Sequence, residues 1–134
     1  MYTMIFIVDS FRRDTMNEEC TVYITMEYLS KKWTSLILLE LYKGKSEKKR
    51  YSEIKRNMPE ITPKVLSARL KELEKQRIIT KKIDTTCFPI KCEYALTESG
   101  KDFIRIIKDI KTWALQWKID NKLCENLDCK DCEL

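Results

Sequence analysis

Two sets of side chains in this chain have types and spacings that can do chemistry. The first is its six cysteines: Cys20 alone near the start, Cys87 and Cys92 flanking a turn signal, and Cys124-x4-Cys129-x2-Cys132 near the end. Three thiols so close together can wrap a soft metal such as zinc or iron–sulfur, and Cys-x2-Cys is a usual chelating half-site. A dithiol redox role and no specific role are the other readings of the same tail thiols. With no histidine in the chain, the common His/Cys zinc patterns, histidine acid–base catalysis and a Ser-His-Asp triad are excluded. There is also no glycine-rich phosphate loop and no paired-carboxylate motif, so no enzymatic activity is expected.

The second set is cationic. Between Lys43 and Lys91 the chain has 15 Lys/Arg against 6 Asp/Glu, a local net of +9, whereas the whole chain is only +5. A basic middle between acidic ends suits a polyanion-binding face. On a helical wheel Leu66, Leu70 and Leu73 form one narrow stripe, with Arg77 drawn to the same side. Lys64, Ala68, Lys71 and Lys75 lie within about 40° of the opposite point. Lysines there can reach phosphates, and the small Ala68 leaves room for a base edge. Base reading is expected from Thr62, Lys64, Ser67 and Ala68 near the helix start, with Val65 against a thymine methyl. Arg50, Ser52 and Lys55 are backbone candidates on the preceding helix. Lys81, Lys82, Thr85, Thr86 and Lys91 are candidates on a following hairpin.

The elements that must position these groups can be read from the same residues. Thr21 to Lys31 has apolar residues at helical spacing, among them Val22 and Met26. Trp33 to Tyr42 is apolar on most sides, which predicts a central buried helix stopped at Gly44. A charged loop follows to Arg50. Ser52 is then expected to cap a short helix that Pro59 ends. Thr62 is an N-cap and Pro63 a favoured first residue for a helix to about Gln76. Ile78 to Asp84 and Lys91 to Leu96 read as two strands with Thr85, Thr86 and Pro89 at their connection. Thr97 opens a last helix whose stripe includes Ile106, Ile110, Trp113 and Trp117. That stripe is wider than one small core needs.

The predicted fold class is α+β, mainly α: a winged helix-turn-helix with a two-stranded wing and flanking terminal helices. Residues 1–19 form an extension of undetermined structure, residues 20–121 the winged-helix domain, and residues 122–134 an acidic, cysteine-bearing tail. No apolar run approaches the ~18 residues of a membrane helix. The short apolar start lacks the flanks of a signal peptide, so a cytoplasmic location without membrane contact is expected.

Several motifs occur in order at compatible spacing: Lys32-Trp33-Thr34 followed by Leu36 to Leu41, Arg50-Tyr51-Ser52-Glu53-Ile54, Ile61-Thr62-Pro63-Lys64-Val65-Leu66-Ser67, and Glu93-Tyr94-Ala95-Leu96-Thr97. With Trp113 or Trp117 near the end of the last helix, they resemble the HxlR-type (MarR-like) transcriptional regulators over about residues 20 to 118. The resemblance implies a homodimer paired through the terminal helices, here Val22, Met26, Ile106, Ile110, Trp113 and Trp117. It also implies a redox thiol at Cys20, although Thr21 stands where the family often has proline. The family's Gly-Gly before Lys-Trp is Ser30-Lys31 here, which predicts a less tight turn. Together these features predict a regulator that binds a pseudo-palindromic site on double-stranded DNA, modulated by an oxidant or small molecule. The alternative is a winged helix used for protein contacts.

Overall fold

The computed structural model describes residues 20–133; the extension before Cys20 and the final Leu134 lie outside the described residues. Helix α1 (Thr21–Leu29) turns through Ser30 to Trp33 into α2 (Thr34–Tyr42). Trp33 lies outside the second helix: it precedes it with φ at 81°. That left-handed conformation is uncommon for a bulky residue. It ends the four-residue connection between the helices, and the indole lies partly against the core. As expected, α2 is the buried centre, with Ile37, Leu38 and Leu41 at most 2% exposed.

The loop after α2 contains an element that the sequence pattern did not mark. Lys49–Arg50 forms a short strand, β1, which pairs with Tyr94 and Glu93. The wing is therefore a three-stranded antiparallel sheet in the order β1-β3-β2, where β2 is Ile79–Asp84 and β3 is Lys91–Leu96. What fixes β1 is a buried polar cluster. The Lys49 ammonium donates to the Glu40 carboxylate (3.3 Å), to the Lys43 carbonyl (2.8 Å) and to the Glu40 carbonyl. The Asn57 amide donates to the same carboxylate at 2.8 Å. A buried charge is tolerable only with such partners, so this cluster ties α2 and β1 to α3 (Tyr51–Asn57).

Helix α3 begins at Tyr51 with Arg50 as its N-cap, so Ser52 sits inside the first turn instead of capping it. The Glu53 carboxylate accepts the Arg50 backbone N–H at 3.3 Å. Helix α4 (Pro63–Lys75) starts as the sequence predicts, with the Thr62 hydroxyl accepting the Val65 N–H at 3.2 Å. It stops before Arg77, whose φ of 59° takes its side chain off the leucine stripe and into solvent. The Arg77 carbonyl instead accepts the Thr97 hydroxyl at 2.7 Å, which fixes the start of α5 (Glu98–Trp117). Gly100 is required there, because a β-carbon would overlap the Ile78 carbonyl oxygen.

Beyond α5 the chain folds back. Helix α6 (Lys122–Asn126) and a 3-10 turn (Cys129–Asp131) lie against α2 and α5. The Gly44 N–H donates to the Lys130 carbonyl at 2.9 Å. Lys108 donates to Asp128 (3.0 Å) and to the Tyr42 hydroxyl (2.7 Å), and Lys111 to the Leu127 carbonyl (2.6 Å). The tail is thus a docked element of the domain, not an appendage beyond it. No helix among the described residues is long and apolar enough to cross a membrane.

Candidate nucleic-acid interface

Helix α4 is held by one face and displayed by the other. Leu66, Leu70 and Leu73 are at most 1% exposed, and each such burial contributes about 1.5–3 kcal/mol. Lys64, Ser67, Ala68, Lys71 and Lys75 are all exposed on the opposite side. No ion pair among the described residues engages Lys64, Lys71, Lys75, Lys81 or Lys82. On α4 the charge of Lys64, Lys71 and Lys75 is therefore not balanced by an ion pair, the condition for an anion to be bound by them; in the wing Lys81 lies over the Tyr94 ring.

The end of α4 that would lead is also braced. The Tyr51 hydroxyl donates to the Pro63 carbonyl at 3.3 Å, and the Ser67 hydroxyl reaches Tyr51 at 3.4 Å. Sequence reasoning missed Tyr51, although its position next to the N-cap of α3 was visible. It also missed Arg69, whose Nε donates to the Lys32 carbonyl at 3.4 Å, and the Lys31–Glu72 pair at 2.7 Å. These contacts fix α4 against the turn between α1 and α2.

Other candidates are less available than their positions suggest. Val65 is half-buried against the core, because it lies at the edge of the leucine stripe. Lys55 is half-buried and donates to the Pro59 carbonyl at 3.2 Å, closing the turn between α3 and α4. Arg50, Ser52, Thr62, Lys81, Lys82 and Thr85 are exposed. In the wing, Lys82 faces Glu93 and Lys91 faces Asp84 across the β2–β3 pair. Thr86 is turned inward to the loop, its hydroxyl and N–H both donating to one Asp84 oxygen. Those bonds hold the Asp84 carboxyl below its ordinary pKa.

Two further surfaces matter. Val22 and Met26 on α1, and Ile106, Ile110, Trp113 and Trp117 on α5, are all exposed, between 39% and 66%. Exposed apolar side chains grouped on α1 and α5 are the kind of surface that marks an interaction site. Cys20 is exposed at the N-cap of α1, where its sulfur accepts the Tyr23 N–H at 3.4 Å. Metal binding was one of the roles open to the tail thiols. No group of three His, Cys, Asp or Glu side chains among the described residues is arranged to hold a metal ion. Cys124 lies on α6 and Cys129 on the 3-10 turn, so two separate elements divide the chelating motif.

Comparison with known proteins places this architecture. The profile of HxlR-like helix-turn-helix proteins matches residues 28–122, most of the chain. The chain belongs to the HxlR-like family. The HTH-type transcriptional regulator YvaP of Bacillus subtilis is 37% identical over 92 residues, covering 69% of this chain and 82% of that one. Among solved structures, the reduced form of the transcriptional regulator YodB from B. subtilis superposes with a TM-score of 0.66 at 31% identity. That match covers 76% of this chain and 96% of YodB. The redox regulator HypR in its oxidized form gives 0.64 at 31% identity, over 75% and 99% of the two chains. This HxlR-like chain is thus a winged helix in a family of transcriptional regulators, and HypR, similar to it in structure, is a redox regulator.

Proposed function

We propose that this HxlR-like protein is a homodimer that binds a pseudo-palindromic site on duplex DNA, with α4 in the major groove. The observation that carries the reading is the outer face of α4. Lys64, Lys71 and Lys75 are exposed and unpaired on a helix whose other face is locked into the core. Thr62, Ser67 and Ala68 lie at or near its leading end, where base edges are met. Lysines supply affinity by releasing counterions, with a log–log salt slope of about −0.9 per phosphate.

The dimer follows from the exposed apolar residues of α1 and α5, which a second copy would cover and which would set the separation of two α4 helices. Cys20 caps the first of these helices, so oxidising it changes the edge of that contact. Reduced YodB and oxidized HypR, at over 30% identity, favour an oxidant as the effector class. Binding is tested by selecting duplexes from a random library and titrating the enriched sequence against salt. Absence of a salt-dependent, sequence-selective complex overturns the reading. Dimerisation is tested by sedimentation of wild type and of Trp113→Glu with Trp117→Glu. The double variant should be monomeric; an unchanged dimer refutes the interface. For Cys20, affinity is compared before and after mild diamide in wild type and Cys20→Ser; identical responses remove it as the switch.

A further inference from the structure

We propose that the tip of the wing is an apolar wedge, with Phe88 as the side chain that enters the minor groove and unstacks one base step. This inference rests on the DNA-binding reading above. Phe88 is fully exposed, and Ile90 and Ile83 beside it are 61% and 57% exposed. A single exposed apolar side chain is ordinary, but Phe88 and Ile90 on one cleft, with Ile83 on the strand leading to it, give the tip more apolar surface than a turn needs.

The surroundings of the patch name that partner. Exposed Lys81 and Lys82 lie on the strand leading to the tip and Lys91 on the strand leaving it. Arg50 lines the same cleft as Phe88, Pro89 and Ile90. Lys82 and Lys91 each face an acid across the β2–β3 pair, which leaves Arg50 and Lys81 as the cations beside the apolar point; such a pairing is complementary to an apolar stack between two anionic rails. That is the cross-section of a DNA groove, with phosphates on either side of the bases.

Position and rigidity agree with this. The tip lies across a cleft from Arg50, Tyr51 and Ser52 at the start of α3. The Tyr51 hydroxyl in turn holds the first turn of α4 through the Pro63 carbonyl. The wing tip and the leading end of α4 therefore flank one short segment, so a helix in the major groove leaves the tip near the adjoining minor groove. The loop is already folded. Asp84 accepts the Thr86 N–H (3.0 Å) and hydroxyl (2.5 Å) at one oxygen and the Cys87 thiol (3.6 Å) at the other. A preorganised wedge loses little freedom on insertion. Pyrimidine–purine steps are the easiest to unstack, so the wedge would select TA or CA/TG at a position read by no hydrogen bond.

The probe is the duplex enriched by this protein from the random library, with 2-aminopurine placed singly at adenines in its TA steps. Wild type should raise the fluorescence of one such step and bend the duplex, read by end-to-end energy transfer. Phe88→Ala should lose both signals and about tenfold or more in affinity, the scale of base–aromatic stacking. Its salt slope should be unchanged, and Phe88→Trp should restore both signals. An alanine variant that brightens and bends the probe like wild type overturns the wedge. So does a loss of affinity accompanied by a change in oligomeric state or in binding to anionic vesicles, which would make the tip a protein or lipid contact. Failure of wild type to bind any duplex refutes the DNA reading itself, a distinct result.

Discussion

The lysines of α4 and those that hold the C-terminal tail are one residue type in two opposite settings. Lys108 donates to Tyr42 and Asp128, and those bonds raise its pKa; the Lys130 backbone N–H, and after it Lys108, hold the Asp128 carboxyl below its ordinary range. Lys49 is more extreme, buried and surrounded by acceptors. Lys64, Lys71 and Lys75 have no such partner among the described ion pairs, and they point into water. A lysine whose charge the fold already neutralises is part of the scaffold. A lysine left unpaired on a rigid helix is free to meet an external anion. The contrast separates what builds the domain from what the domain presents.

The sharpest way to break this division is at Lys49. Lys49→Ala strands the buried Glu40 carboxylate and should lower unfolding stability by about 3 kcal/mol, read by urea denaturation. A loss under 1 kcal/mol, of the size of an exposed pair, would show that Asn57 alone satisfies Glu40. The opposite region should behave in the opposite way. Lys64→Ala combined with Lys71→Ala should leave stability within about 0.5 kcal/mol of wild type. The same double variant should reduce the DNA salt slope by about two units. Stability loss without a change in slope would make these lysines scaffold after all.

A smaller effect is expected at the tail. Asp128 and Lys108 are partly exposed, so Asp128→Asn should cost less than about 1 kcal/mol. Its readout is local: hydrogen exchange at the Gly44 amide should quicken and the half-buried Cys129 should react faster with a thiol reagent. Smallest of all is the pH response. Because Asp128 has a lowered pKa in the fold, its contribution is complete above about pH 4, the unfolded value, and fades as pH falls through the folded one. Lys108 is the mirror case, complete below about pH 10 and lost as pH rises through its raised value. Tail protection factors, exchange measured against the intrinsic base-catalysed rate, should therefore be flat near neutrality and fall only at the two extremes. A step near pH 7 would contradict this pairing.

Much of the scaffold was legible because it depends on neighbours in sequence. The Thr62–Pro63 cap, the leucine stripe of α4 and the strand runs 79–84 and 91–96 all obey local rules. The outward apolar residues of α5 were legible as an excess over what one core can bury. What escaped were features whose cause lies far along the chain. β1 consists of two lysine-and-arginine positions with no strand pattern, made a strand by Tyr94 and Glu93 and by Glu40 beneath it. Lys55, Val65 and Thr86 are DNA candidates by position, and only the tertiary structure shows that Pro59, the core and Asp84 also engage them. The tail read as a metal-binding motif or a loose end, and Tyr42 and Lys108 made it a docked turn.

By itself the sequence determined the family, the order of helices and hairpin, and which face of α4 is basic. Periodicity and capping act within a few residues, so they are written in the local pattern. Which cations remain unpaired, which thiols stand apart and which apolar residues reach the wing tip were decided only by the tertiary structure. Charge compensation and burial depend on contacts between distant segments, such as Lys49 with Glu40 and Asp128 with Lys108, and no local spacing specifies those.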